Sequence, residues 1–232
     1  MPPRALEPAG VALVDKPRGP SSFAVVAQIR RMTGARTGHA GTLDPFATGL
    51  LLLLSGRATK LAPCLVGLDK RYLTEIDLTR RTSTGDPEGE VVASHAAPSE
   101  DELAERLELL RGEIELPIPA ASAVKIGGER AYKLARRGVE VAMPVRRSTV
   151  HALDVIAYTG ETVTLDVRVS SGTYVRSLAI ELGGHCATLR RTEVGPFSVA
   201  DAVAPEAFTA ARLLSVPDVL ERVEAARAGP SL

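Results

Sequence analysis

The chain has 232 residues, 45% of them hydrophobic, enough to bury the core of one large domain or two small ones, which excludes a disordered chain. Tryptophan is absent and aromatic residues make up 3%, so recognition of single-stranded nucleic acid through rows of stacked rings is excluded. The 28 Lys/Arg balance 28 Asp/Glu, yet residues 1–72 hold ten basic against four acidic side chains, so a neutral total hides a basic region.

Residues 1–10 contain prolines, an arginine and a glutamate where a signal peptide needs an apolar core, which predicts neither secretion nor membrane insertion. Residues 10–14 read as a short strand ending at Asp15-Lys16-Pro17, and Pro20-Ser21-Ser22 opens a helix with a serine N-cap that runs to about Met32. Residues 38–49 combine three glycines, a proline directly after Asp44 and small Ala/Thr neighbours. Such residues are costly inside helices and strands, so the segment is a loop with special backbone angles that holds Asp44 rigidly. The apolar run 50–54 is too short to cross a bilayer and has the length of a buried strand.

Residues 56–66 read as helical and 70–78 as a strand with Tyr72 near its start. Cys64 and Cys186 lie far apart without a C-x-x-C pair, and although His185 adjoins Cys186, zinc spacing is lacking, which predicts a reduced, cytoplasmic protein with no structural metal. Ser99 with Glu102 forms a capping box for an amphipathic helix to about Leu110, whose charged face accounts for the acidic stretch 100–115. A second basic stretch, 125–147, contains a short basic helix over 131–137 between Gly127-Gly128 and Gly138, read as an element projecting over a binding cleft. The strand 161–171 alternates Val163, Leu165, Val167 and Val169 with polar residues and ends at Ser170-Ser171-Gly172-Thr173. A helix from Tyr174 to Leu182 then carries Arg176 in its first turn, where the helix dipole disfavours a cation and a compensating partner is expected. From Ala204 onward, helical pieces interrupted by Pro217 form a tail.

Taken alone, Asp44 before Pro45 reads as a turn residue, Tyr72 as a strand aromatic, His39 as a loop histidine and Asp86 as a turn carboxylate. Together, the loop Gly38-His39-Ala40-Gly41-Thr42-Leu43-Asp44-Pro45, Lys70-Arg71-Tyr72, the turn Thr82-Ser83-Thr84-Gly85-Asp86-Pro87 and Ser170-Ser171-Gly172-Thr173-Tyr174-Val175-Arg176 resemble the TruB family of tRNA pseudouridine synthases. The opening Val14-Asp15-Lys16-Pro17-Arg18-Gly19-Pro20-Ser21-Ser22 and the segment Pro119-Ala120-Ala121-Ser122-Ala123-Val124-Lys125 extend the resemblance, in order and spacing, over most of residues 10–200.

The resemblance implies an α+β pseudouridine synthase fold, a mixed and largely antiparallel sheet flanked by helices with a central RNA-binding cleft. It implies a catalytic domain over 1–200 with a basic insertion at about 118–147, and a short helical tail, 201–232, in place of the full C-terminal PUA-type domain of many members. The implied reaction is cofactor-free and metal-free isomerisation of uridine 55 in the T loop of tRNA, by a monomer, with the target base flipped out. Asp44 matches the essential carboxylate, acting either as a nucleophile at C1′ or at the 2′ position through a glycal. Arg176 matches the arginine that pairs with it, and Tyr72 the tyrosine that stacks on the uracil and is a candidate to remove the C5 proton. His39, Asp86, Tyr174, Lys16 and Lys125 match substrate-binding positions. Thr79 and Ser83 replace the usual glycine and aspartate, and Ser171 a common lysine, which predicts one phosphate contact fewer. The alternatives are a non-catalytic tRNA-binding or folding module of the same fold, and pseudouridylation of a uridine in another RNA.

Overall fold

The computed structural model describes residues 8–122, 124–131 and 142–228. Along the chain come β1 (Gly10–Lys16), α1 (Ser22–Thr33), β2 (Thr37–His39), β3 (Thr48–Ser55), α2 (Ala62–Val66), β4 (Lys70–Asp77), β5 (Arg80–Thr82), β6 (Val91–Ser94), α3 (Glu100–Leu109), β7 (Gly112–Pro117), β8 (Lys125–Ile126), β9 (Glu129–Arg130), β10 (Val145–Tyr158), β11 (Thr162–Val169), α4 (Val175–Glu181), β12 (His185–Val194), β13 (Phe197–Ser198) and α5 (Val216–Ala228). The fold is α+β with mostly antiparallel strand pairing. It divides into two compact units, one of residues 1–72 and 190–232 and one of residues 73–189, so β4 and β12 each contribute to both. No helix among the described residues is long and apolar enough to cross a membrane.

In the first unit β3 is buried on both faces, which explains why its sequence is a continuous leucine run rather than an alternation. Leu50, Leu52 and Leu54 pack with Val11, Leu13, Val219 and Val223, while Leu51 and Leu53 pack with Val25, Val26 and Ile29 of α1 and with Phe208. β1 lies antiparallel to β3 from Gly10↔Ser55 to Lys16↔Gly49, and β2 pairs with the far end of β3. β3 and β12 pair in parallel, through Arg190↔Thr48 and Arg191↔Gly49. Ser21 caps α1 as expected, and the chain leaves that helix through Gly34 at φ +66°.

The expected loop 38–49 is trimmed by pairing at both ends to residues 40–47. The helix expected over 56–66 is six residues of 3-10 helix followed by α2, because Pro63, without an N–H, falls in the first turn of α2 and starts a new helix there. The tail is part of the first unit. Val203 and Leu214 bridge the outer edge of β1 at Val14 and Val11, and Pro217 lies in the first turn of α5, where its missing N–H costs nothing, instead of interrupting a helix.

In the second unit the sheet runs β4, β11, β10, β7, with the first half of β12 beside β4. β11 shows the expected alternation, with Val163, Leu165, Val167 and Val169 all buried. The Ser99–Glu102 capping box is present, and Arg106 of α3 donates to Leu182 O at the C-terminal end of α4, 2.9 Å. The basic helix expected over 131–137 falls, beyond Ala131, outside the described residues, as do residues 132–141 of the expected insertion.

Candidate active site

Asp44 sits half-buried in the loop 40–47, and side chains from separate elements hold the backbone on both sides of it. Ser22 Oγ, at the start of α1, donates to Leu43 O and accepts from Leu43 N, both at 2.8 Å. Lys16, 0% exposed at the end of β1, donates from Nζ to Pro17 O at 2.9 Å, Pro45 O at 3.2 Å and Ala47 O at 2.7 Å. Arg191, 1% exposed on β12, donates through Nε to Leu50 O at 2.7 Å and through its terminal nitrogens to Thr42 O and Gly41 O, each at 3.2 Å. A bond from Ala47 N to Asp44 O, 3.1 Å, closes the turn over Asp44-Pro45.

Carbonyls of an irregular, buried segment need donors from outside it, and donors that carry charge bind them more strongly than neutral ones. Lys16 and Arg191 supply these donors, so the carboxylate rides on a backbone with little freedom. Gly49, at φ +102°, is required at the end of the loop because a Cβ there would run into the backbone of Arg191.

Arg191 spends its hydrogen bonds on carbonyl oxygens and forms no ion pair among the described residues, so its charge is felt nearby. Burial, and then the Arg191 guanidinium, lower the pKa of His39, which holds the imidazole neutral at pH 7. The His39 Nδ1 is buried with no hydrogen-bond partner among the described residues. Burial, then Arg191, bring Lys70 down to about 8 against the opposing pull of Asp69, while its ammonium caps Val66 O and Leu68 O. Tyr72 is buried on β4, two residues on from Lys70, and Thr192 Oγ1 donates to Arg71 O at 3.2 Å to join β4 to β12 one residue past Arg191. Asp44, His39, Tyr72 and Lys16 thus share the first unit. Lys16, expected among the substrate contacts, is fully buried and holds loop backbone.

The remaining expected residues belong to the second unit. Arg176, 2% exposed in the first turn of α4, pairs with Asp86, 4% exposed, at 3.0 Å, and also donates to Thr84 O at 2.8 Å and Ala121 O at 2.9 Å. Asp86 accepts from Thr84 Oγ1 at 2.6 Å and Glu88 N at 3.0 Å, which fixes its carboxylate in the turn. Tyr174 is half-buried at the N-cap of α4, and the turn before it is tied by Thr173 Oγ1 to Ser170 O at 2.9 Å. Lys125 opens the two-residue strand β8. Among the described residues no group of His, Cys, Asp and Glu is placed to hold a metal ion.

Sequence reasoning missed Arg191 and the clamping role of Ser22. The available signal for Arg191 was a charged residue on the same phase of a strand as buried Leu189.

Residues 30–175 match the family described as TruB family pseudouridylate synthase (N terminal domain). The chain is 44% identical over 234 residues to a tRNA pseudouridine synthase B of Arthrobacter sp. (strain FB24), covering 94% of this chain and 75% of that one. It is 47% identical over 206 residues to that of Leifsonia xyli subsp. xyli, covering 82% of this chain and 68% of the relative. Among solved structures it resembles a chain of a Cbf5-Nop10-Gar1 complex with a TM-score of 0.64 and 28% identity, over 91% of this chain and 54% of that one. It also resembles a chain of an H/ACA RNP bound to a substrate RNA containing 2′-deoxyuridine, with a TM-score of 0.64 and 26% identity, over 86% of this chain and 52% of the other. The chain thus spans about half the length of those structural neighbours.

Proposed function

The chain belongs to the TruB family of pseudouridylate synthases, and from that premise we propose that its substrate is tRNA and its target uridine 55 of the T loop. The reaction is an isomerisation. The C1′–N1 bond breaks, the uracil turns, C5 bonds to C1′, and the proton lost from C5 is balanced by one gained at N1, so no oxidant, reductant or group donor is consumed. Asp44 is the essential carboxylate, either adding to C1′ or acting at the 2′ position to give a glycal, and both routes need it ionised. In the family pattern Arg176 serves that carboxylate, and a guanidinium favours the charged form.

Tyr72 stacks on the uracil, the better supported of its two roles, since a phenol is a poor acceptor for a carbon-bound proton. The target nucleotide leaves its stack, since a carboxylate cannot reach C1′ of a stacked base. His39, neutral and with an unpartnered ring nitrogen, is suited to hold the opened T loop. Asp86 orients Arg176, Tyr174 lies near the base, and Lys125 with the basic insertion meets the RNA backbone. The enzyme works as a cytoplasmic monomer.

The observation that carries this reading is the bracing of the Asp44 loop by Ser22, Lys16 and Arg191, because a mere turn aspartate needs no such support. The experiment is pseudouridine mapping on an unmodified tRNA transcript, without added metal or nucleotide, for the wild type beside Asp44→Ala. Conversion at uridine 55 by the wild type alone is expected. No conversion with tRNA still bound would replace the proposal with the binding-module alternative, and conversion elsewhere would replace the target.

A further inference from the structure

The acid-poor stretch at the start of the chain gathers into one corner of the first unit. Between residues 16 and 68 the sole carboxylate is Asp44, against seven Lys/Arg. Arg30 and Arg31 form the last turn of α1, and Arg36 precedes β2. Gly56 N donates to Arg36 O at 2.8 Å, which sets Arg57 beside Arg36 at the end of β3, and Lys60 follows in the next 3-10 turn. All five of these cations are exposed, and none makes an ion pair or a side-chain hydrogen bond among the described residues.

The dipole of α1 gives Arg30 and Arg31 a local reason, but it does nothing for Arg36, Arg57 and Lys60. Like charges assembled without counter-ions repel one another and raise the local potential, an arrangement that favours a polyanion as the partner. The corner also has a definite distance from the chemistry. The Asp44 loop ends where β3 starts, at Thr48, and Arg36, Arg57 and Lys60 lie past the other end of that strand at Ser55, seven strand residues or about 23 Å along it.

We propose that this corner is a second RNA-binding surface, which takes phosphates of the tRNA remote from the target nucleotide. The inference rests on tRNA being the substrate. It assigns to the α1–β2–β3 corner a share of the affinity that the sequence placed on the insertion at 125–147, and it makes the enzyme sensitive to RNA beyond the T arm.

The test is the variant Arg36→Gln/Arg57→Gln/Lys60→Gln, assayed on a full tRNA transcript and on an isolated T-arm hairpin, over a range of salt. Removing repelling exposed charges leaves the melting temperature unchanged or raised. For full tRNA the slope of log affinity against log salt flattens by about 0.7–0.9 for each phosphate no longer neutralised, so by about 2 to 3 for the three substitutions together. The turnover at saturating RNA and the affinity for the hairpin stay at the wild-type value. An unchanged slope on full tRNA would overturn the proposal, as would equal weakening on tRNA and hairpin, which would place the bound phosphates in the T arm. Loss of binding to anionic phosphatidylserine vesicles with tRNA affinity intact would give the corner to a lipid surface instead. Failure of the substrate assignment is separate: there the wild type itself would not convert tRNA.

Discussion

Arg176 lies where a helix dipole opposes a cation, and it is nevertheless almost completely buried. The partner that this misfit demands is Asp86, and two carbonyls join it, Thr84 O on one terminal nitrogen and Ala121 O on the other. A planar fork can meet these acceptors together; a lysine ammonium on a flexible stem cannot. Arg176→Lys therefore leaves the buried Asp86 incompletely paired, and breaking a buried pair costs about 3–5 kcal/mol. The expected result is a clear fall in melting temperature together with at least a ~100-fold fall in single-turnover rate, the size typical of losing a preorganised donor. A rate near wild type would remove Arg176 from the catalytic set, whatever happens to stability. Arg176 was legible in sequence because it violates a local rule. Arg191 was not, because its acceptors at Gly41, Thr42 and Leu50 lie 141 to 150 residues away along the chain.

At the scale of elements, the loop 40–47 illustrates how irregular backbone is made rigid. Its glycines and Pro45 permit the path, but long-range donors select it. Arg191→Lys keeps the charge and loses the fork, so it cannot hold Leu50 O and both loop carbonyls at once. A displacement of about 1 Å at a reacting group can cost ~100-fold in rate. The expectation is a fall of about 10- to 100-fold in turnover with tRNA affinity preserved, read by single-turnover kinetics beside equilibrium binding. Unchanged turnover would show that Ser22 and Lys16 suffice to aim Asp44. Elements with one clean period were legible: α1 and α3 from their caps, β11 from its alternation and β3 from its unbroken leucines. β10 was not, since register shifts at Val150/Ala152 and Val155/Ala157 break its period of two. β12 was hidden by Arg190 and Arg191, charged residues within a largely buried strand.

For the molecule as a whole, the sequence divides at about residue 200, a catalytic domain followed by a tail, whereas the structure folds residues 201–228 into the same unit as β1 and β3. The difference is physical. A sequence shows that Val219 and Val223 are apolar, but not that α5 helps to cover one face of β3. Those two valines are buried against Leu50, Leu52 and Leu54, and residues 203 and 214 occupy the outer edge of β1, which would otherwise offer unpaired backbone for aggregation. The same strand, β3, leads directly out of the Asp44 loop, so the tail supports the platform on which the loop is built. Val219→Asp places an unpaired carboxylate in that core, and the expected cost is about 3 kcal/mol or more. Denaturant unfolding of the full chain checks this. A cooperative transition at the wild-type midpoint would mean that α5 is dispensable to the first unit, while the expected loss, accompanied by aggregation on removal of residues 203–228, identifies the tail as part of the catalytic fold.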